Sequence, residues 1–421
     1  MKRADRILTM VLLCLSGSII YWLPFLSEIY YVPMQESFGF SKTQIGILLS
    51  TFGFVSLFSY FPGGWLADRF LPRKLITIAL VATAAGGYVF ATFPSFEVCL
   101  LLHGLWGITS GCIFWSAMIK ATRKWGSEDE QGRAFGILEG GRNFSDMIIA
   151  TVMLAVFAYR GGGDAALAEQ IIFYASAALL LGIVVWFVMI DDTGRANGVT
   201  GASSVVKLSD VGKVLKLPIV WLLSIIILAA YSGYWGVVYF TPYATEVFEL
   251  GSVLGGAIGT AKLWIAAGVA VIAGFIADKI GPAKAVLGGF FLMTLGFLIF
   301  AVVPGQPGLL PLLLVNVAVI SCAVYGLRGI YFALLEQGGI PIAVTGTATG
   351  TISIIGYTPD VFLPVLGGII LDANPGAVGY QHYFLLITAL SAIGLVAAFV
   401  VYRKVQCNPD AAPGELGQSS E

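Results

Sequence analysis

The sequence predicts an all-α integral membrane protein with twelve transmembrane helices in two pseudo-symmetric six-helix halves. Three observations predict it: a composition too apolar for a water-facing surface, a succession of apolar runs of span length, and a loop motif that recurs half a chain later. The 421 residues are 58% hydrophobic and 11% charged, with a mean hydropathy of +0.89. Soluble domains run near about 45–50% apolar and about 25% charged. With so few charges the missing polar surface must face lipid. The net charge of −1 and the lack of a basic tail give nothing for nucleic acid to bind. Cys14, Cys99, Cys112, Cys322 and Cys407 show neither metal-ligand spacing nor a disulfide framework, so no metal is expected.

A helix needs roughly 20 apolar residues to cross a bilayer core. Such runs lie at about 7–31, 44–66, 75–93, 97–119, 133–158, 168–190, 217–241, 252–276, 285–303, 309–334, 342–370 and 380–402. The first is longer than a signal-peptide core and lacks a small-residue cleavage site, so it reads as a span. The longest polar interruption, 191–216, falls near the middle and reads as a cytoplasmic linker. The expected organisation is an N-terminal half at 1–190, the linker, a C-terminal half at 217–404, and a disordered cytoplasmic tail at 405–421.

Orientation follows from lysine and arginine, which concentrate on the cytoplasmic side. With the N-terminus in the cytoplasm, 18 of the 23 basic residues fall in cytoplasmic segments. Only Lys42 and Arg160 fall outside, and Arg142, Lys262 and Arg328 lie within spans. A missed span would mix the charges, so the asymmetry also supports the count of twelve. Both termini are expected in the cytoplasm of a multi-pass protein of the plasma (inner) membrane.

Residues 64–74 read GWLADRFLPRK and residues 274–284 read GFIADKIGPAK. Gly64, Ala67, Asp68, Arg69, Pro72 and Lys74 align without gaps with Gly274, Ala277, Asp278, Lys279, Pro282 and Lys284, each pair 210 residues apart. Each copy joins the second and third spans of its half. With two six-span halves, this resembles the major facilitator superfamily over nearly the whole chain. The first copy is similar to that family's signature except at Leu71, where the signature has Gly; the second copy has Gly281 there. The resemblance implies a conformational latch at Gly64, Asp68, Arg69, Arg73, Gly274, Asp278 and Lys279. Plain positive-inside charge would account for Arg69, Arg73 and Lys74, but not for two aspartates in register.

Ionisable residues inside spans are functional candidates, because each is costly unless paired or hydrated. Lys262 lies about 16 residues, or about 24 Å, from Asp278 along its helix. Two readings stand: a substrate cation, as in family members with anionic substrates, or a lysine paired with an acid on another helix. Arg328 is either a substrate contact or part of a gate salt bridge. Glu139, Arg142 and Asp146 share one helical face. They form either a self-neutralising cluster or a coupling site in which a protonated carboxylate frees Arg142 for an anion. Gly136, Gly140 and Gly141 suit close helix packing, and Gly326 and Gly329 beside Arg328 would let a backbone or a ligand approach closely. Asp360 lies between Pro359 and Pro364, as a proton site or merely solvated at the outer mouth. His103 reads as packed and hydrogen-bonded rather than as a proton shuttle.

Tyr21, Trp22, Tyr234 and Trp235 could line a cavity for a polar solute, while Tyr30 and Tyr31 suit an interfacial belt. No phosphate loop or catalytic constellation is present, so neither an enzyme nor a cofactor is expected. The resemblance implies a secondary carrier working by alternating access. Three buried cations point to a small organic anion, a carboxylate or sugar acid, bound by Lys262, Arg142 and Arg328, with proton coupling at Glu139, Asp146 or Asp360. The first span lacks the arginine of many organic-anion carriers, which disfavours a doubly charged phosphate. Efflux of amphipathic compounds and a transporter-like solute receptor are the alternatives. The partners are the solute, the bilayer and protons, and a monomer contains a complete pathway.

Overall fold

The computed structural model describes residues 3–125, 131–190, 217–303, 305–334 and 352–407. The linker at 191–216, most of the tail at 405–421, and the Asp68 side chain lie outside the described residues. The helices, in chain order, are α1 (Arg3–Ile19), α2 (Ser27–Phe38), α3 (Lys42–Arg69), α4 (Pro72–Phe90) and α5 (Phe96–Gly107). A π-helical stretch (Ile108–Trp115) runs from α5 into α6 (Ser116–Trp125), followed by α7 (Gln131–Tyr159) and α8 (Gly163–Val188). The second half holds α9 (Pro218–Val238), α10 (Phe240–Val247), α11 (Ser252–Ile280), α12 (Pro282–Val302), α13 (Leu310–Ile330), α14 (Pro359–Ala373) and α15 (Ala377–Cys407).

Among the described residues, eleven helices are long and apolar enough to cross a membrane. The first predicted span completes the twelve, but it is broken: α1 ends at Ile19, residues 20–26 form turns, and α2 resumes at Ser27. Inside α2 the backbone bends again at Tyr30 (φ −107°, ψ 40°). The first span of the second half bends at Tyr239 (φ −79°, ψ 0°), between α9 and α10. Both leading helices therefore deviate from helical geometry at nearly equivalent depths in the repeat.

Local chemistry sets the helix ends. Gly39 closes α2 in the left-handed region (φ 66°), where glycine carries no Cβ penalty. Ser41 and Gln44 form a reciprocal capping box that starts α3. Pro72, Pro218, Pro282 and Pro359 each open a helix, where the missing N–H costs nothing. The Leu71 exception also has a backbone cause. Leu71 is extended (φ −70°, ψ 134°), whereas Gly281 sits at φ 92°. The first loop thus tolerates a side chain that the second would strain.

The chain divides into two compact units: Met1–Thr200 with Leu250–Leu263 and Pro364–Ile369, and Gly201–Glu249 with Trp264–Leu363 and Ile370–Glu421. In the first unit α4 packs against α8 and α1 against α7, around a core that includes Leu13, Ile20, Leu80, Phe114, Met118 and Leu138. In the second, α12 and α9 both pack against α15. The third–sixth span pairing of one half (α4 with α8) recurs in the other (α12 with α15). Of the glycines in the fifth span, only Gly141 is in close contact, against the Cys14 side chain; Gly136 and Gly140 face open space. Gly326 makes ordinary contact with Ala273 and Val269. Tyr30 and Tyr31 are 1% exposed, so the interfacial-belt expectation fails for both. Tyr30 packs edge-on to Phe157 and donates to Gln170 Oε1 at 3.3 Å.

Candidate functional site

The cations inside the spans have three different environments. Lys262, on α11, is fully buried, with Nζ 3.0 Å from Oε2 of Glu28 on α2. The two atoms approach without hydrogen-bond alignment, so the contact is ionic. This is the second of the two readings, a lysine paired with an acid on another helix. Glu28 lies inside the first predicted span, in YWLPFLSEIYY, and sequence reasoning missed it. Its signal was available: it is an acid within a membrane run.

Arg142, on α7, donates from Nη1 to Glu139 Oε1 at 2.8 Å and from Nε to the Gly17 carbonyl at 3.0 Å. Its guanidinium carbon lies 5.7 Å from the Tyr21 ring and 5.5 Å from the Trp115 ring, within cation–π range. Glu139 keeps 54% of its side chain exposed. The fifth-span cluster thus splits, because Asp146 does not pair with Arg142 directly. It accepts one hydrogen bond from Ser18 Oγ and a second from Trp22 Nε1, the latter at 3.1 Å. Trp22 also stacks on Tyr174, with ring centroids 5.1 Å apart.

Arg328, on α13, has no carboxylate partner among the described residues. Its guanidinium carbon lies 4.7 Å from the Tyr234 ring and 5.4 Å from the Tyr231 ring. Tyr357 meets Tyr231 edge-on at 4.9 Å, and its hydroxyl lies 3.3 Å from that of Tyr331. The result is a cation among tyrosines. The neighbouring Trp235 is 1% exposed, offers no face to a solute, and donates from Nε1 to Asp360 Oδ1 at 2.8 Å. Asp360 is therefore engaged rather than merely solvated. His103 is buried, with Nδ1 2.8 Å from the Cys99 carbonyl oxygen, between Phe90 and Trp106, as a packed histidine.

At the repeated loop, Gly64 and Gly274 have open space where a Cβ would point. Arg69 lies over Trp65 at 4.0 Å, and Arg73 donates to the Trp186 carbonyl at 3.4 Å. Asp278 and Lys279 are exposed. Lys120 donates to the Ala67 carbonyl near the end of α3, a favourable place for a cation. Among the described residues no cluster of His, Cys, Asp or Glu could hold a metal ion.

Two bundles of apolar helices with broken leading spans and arginines within them have the make-up of a membrane carrier. The family model of the Major Facilitator Superfamily matches residues 7–359, and the chain belongs to that superfamily. It is 30% identical to the inner membrane protein YqcE of Escherichia coli K12 over 97% of both chains. It is also 30% identical to the inner membrane protein YihN of the same organism, over 94% of both. Among solved structures, a bacterial homolog of the human lysosomal transporter Spinster aligns with a TM-score of 0.79 at 14% identity, covering 98% of this chain and 100% of that one. Weaker relatives include the probable nitrate/nitrite antiporter NarK1 of Thermus thermophilus, 25% identical over 70% of this chain and 66% of that protein. Another is the probable sulfoacetate transporter SauU of Cupriavidus necator, 30% identical over 31% of this chain and 30% of that protein.

Proposed function

We propose that this transporter carries a small organic anion, a carboxylate or sugar acid, across the inner membrane by alternating access, with Arg328 as the principal anion contact. The observation that carries the reading is the state of Arg328: a guanidinium with no carboxylate among the described residues, set against Tyr231 and Tyr234. A cation left without an acid inside a membrane protein is costly until an anion neutralises it. Tyrosine faces stabilise the guanidinium in the meantime, and its edges stay suited to a bidentate carboxylate. Relatives named for nitrate and sulfoacetate agree with anionic cargo.

Arg142 is the second anion contact, and Glu139 the carboxylate that couples it to protons. Glu139 holds Arg142 directly and is the more accessible partner of that pair. Protonating it would release the guanidinium for the solute. Lys262, neutralised by Glu28, holds two helices together. The latch motif at Asp68 and Asp278 serves the exchange between conformations.

Uptake of radiolabelled lactate, gluconate and galacturonate into proteoliposomes under an imposed pH gradient tests this. The wild type should accumulate at least one acid, and Glu139→Gln should exchange it without accumulating it. Uptake confined to neutral or cationic amphiphiles would contradict the reading and favour efflux.

A further inference from the structure

Both units contain the dipeptide Tyr-Trp in their leading span, at Tyr21-Trp22 and Tyr234-Trp235. In each, the indole N–H donates to an aspartate on the fifth span of the same half: Trp22 to Asp146 at 3.1 Å and Trp235 to Asp360 at 2.8 Å. In each, the adjacent tyrosine ring lies against an arginine: Tyr21 against Arg142 at 5.7 Å and Tyr234 against Arg328 at 4.7 Å. The arginines come from different places in the two halves, the fifth span in one and the fourth in the other. The indole–carboxylate link is therefore the shared element, and the arginine has been supplied separately each time.

We infer that Asp146 and Asp360 are positioning residues that hold Trp22 and Trp235, and through them fix Tyr21 and Tyr234 against the arginines. The leading spans need such a clamp because they are not continuous helices. Residues 20–26 are turns, and the seventh span bends at Tyr239, four residues after Trp235. Backbone hydrogen bonding leaves the side-chain direction near such breaks underdetermined. A buried indole donor on a partly buried carboxylate removes that freedom, and Ser18 Oγ on Asp146 and the Tyr383 hydroxyl on the Trp235 carbonyl reinforce it. The clamp needs an acceptor oxygen and not a titrating proton, which separates Asp146 and Asp360 from Glu139. The inference rests on the anion-carrier reading for what the arginines are for, but its test needs no substrate.

Phenylglyoxal, a neutral reagent that modifies guanidinium groups, would be applied to the full chain in detergent, and the rate at each arginine followed by mass spectrometry. Asp360→Asn keeps an acceptor oxygen and should leave Arg328 labelling unchanged. Asp360→Leu and Trp235→Phe should raise it several-fold, with Arg142 labelling unchanged as the internal reference. The mirror set, Asp146→Asn against Asp146→Leu, should act on Arg142 and spare Arg328. If Asp360→Leu does not fold, Trp235→Phe carries the test, since it removes the donor and keeps an aromatic ring. The inference is overturned if the Asn variants behave like the Leu variants, which would make the charge essential. It is equally overturned if losing the indole donor leaves the arginine rate as it was. Failure of the anion reading would show separately, as a wild type that no acid stabilises.

Discussion

Each of the three cations inside the spans is met by different groups, because pairing depends on which helix faces it. Lys262 shows the difference: nothing within one turn of it is acidic, and its partner Glu28 comes from α2. With Lys262 fully buried and 14% of the Glu28 side chain exposed, the pair is close to the buried case, which is expensive to break on one side, about 3–5 kcal/mol, and often neutral to replace on both sides. Lys262→Met should therefore lower the melting temperature sharply, and adding Glu28→Leu should restore most of the loss, as read by thermal unfolding in detergent. Equal damage in the single and double variants would mean that the pair does more than hold helices together. Arg328 should behave differently. Its replacement by Lys keeps the charge but loses the planar fork and the stacking on Tyr234, so Arg328→Lys should bind acids much more weakly than wild type while melting close to it.

At the scale of elements, the span positions followed from run length, whereas the breaks did not. The first run is continuous in hydrophobicity across residues 20–26, and hydropathy does not register a helix that unwinds without becoming polar. The π-helical stretch at Ile108–Trp115 was hidden for the same reason. It lies where Gly111 meets the backbone of α3: a Cβ at Gly111 would approach the Ser56 carbonyl oxygen to 2.9 Å. Gly111→Ala should therefore destabilise the protein by about 1–3 kcal/mol, the usual cost of overpacking. Gly104→Ala, where a Cβ would meet nothing within 4 Å, should be neutral. Melting curves of the two variants compare them directly. The glycines of the fifth span teach the converse, since small residues at helix spacing mark a permitted approach and only Gly141 is used for one.

For the whole molecule, the internal repeat was the strongest signal in the sequence, and the fold and family agree with it. The positive-inside asymmetry predicts an orientation that labelling can check. A cysteine placed by Arg160→Cys should react with an impermeant maleimide from outside intact cells, and one placed by Lys279→Cys only after permeabilisation. The reverse pattern would invert the topology. Substrate identity was beyond the sequence because the groups that would hold a solute come from separate spans. The charge of the solute was readable only as three cations, of which the structure leaves one without an acid among the described residues.

Arg328, set against two tyrosine rings with no carboxylate among the described residues, is the proposed seat of the anion. The most direct test is thermal stabilisation of the purified protein by a panel of organic acids, sugar acids, neutral sugars and phosphates, run on wild type and Arg328→Ala. A ligand at 100 times its dissociation constant stabilises by about 2.7 kcal/mol, a readily measured shift. The expected result is a shift with one or more acids in the wild type that is absent from Arg328→Ala and retained in Gly104→Ala. A shift of equal size in Arg328→Ala, or stabilisation by neutral sugars alone, would contradict it.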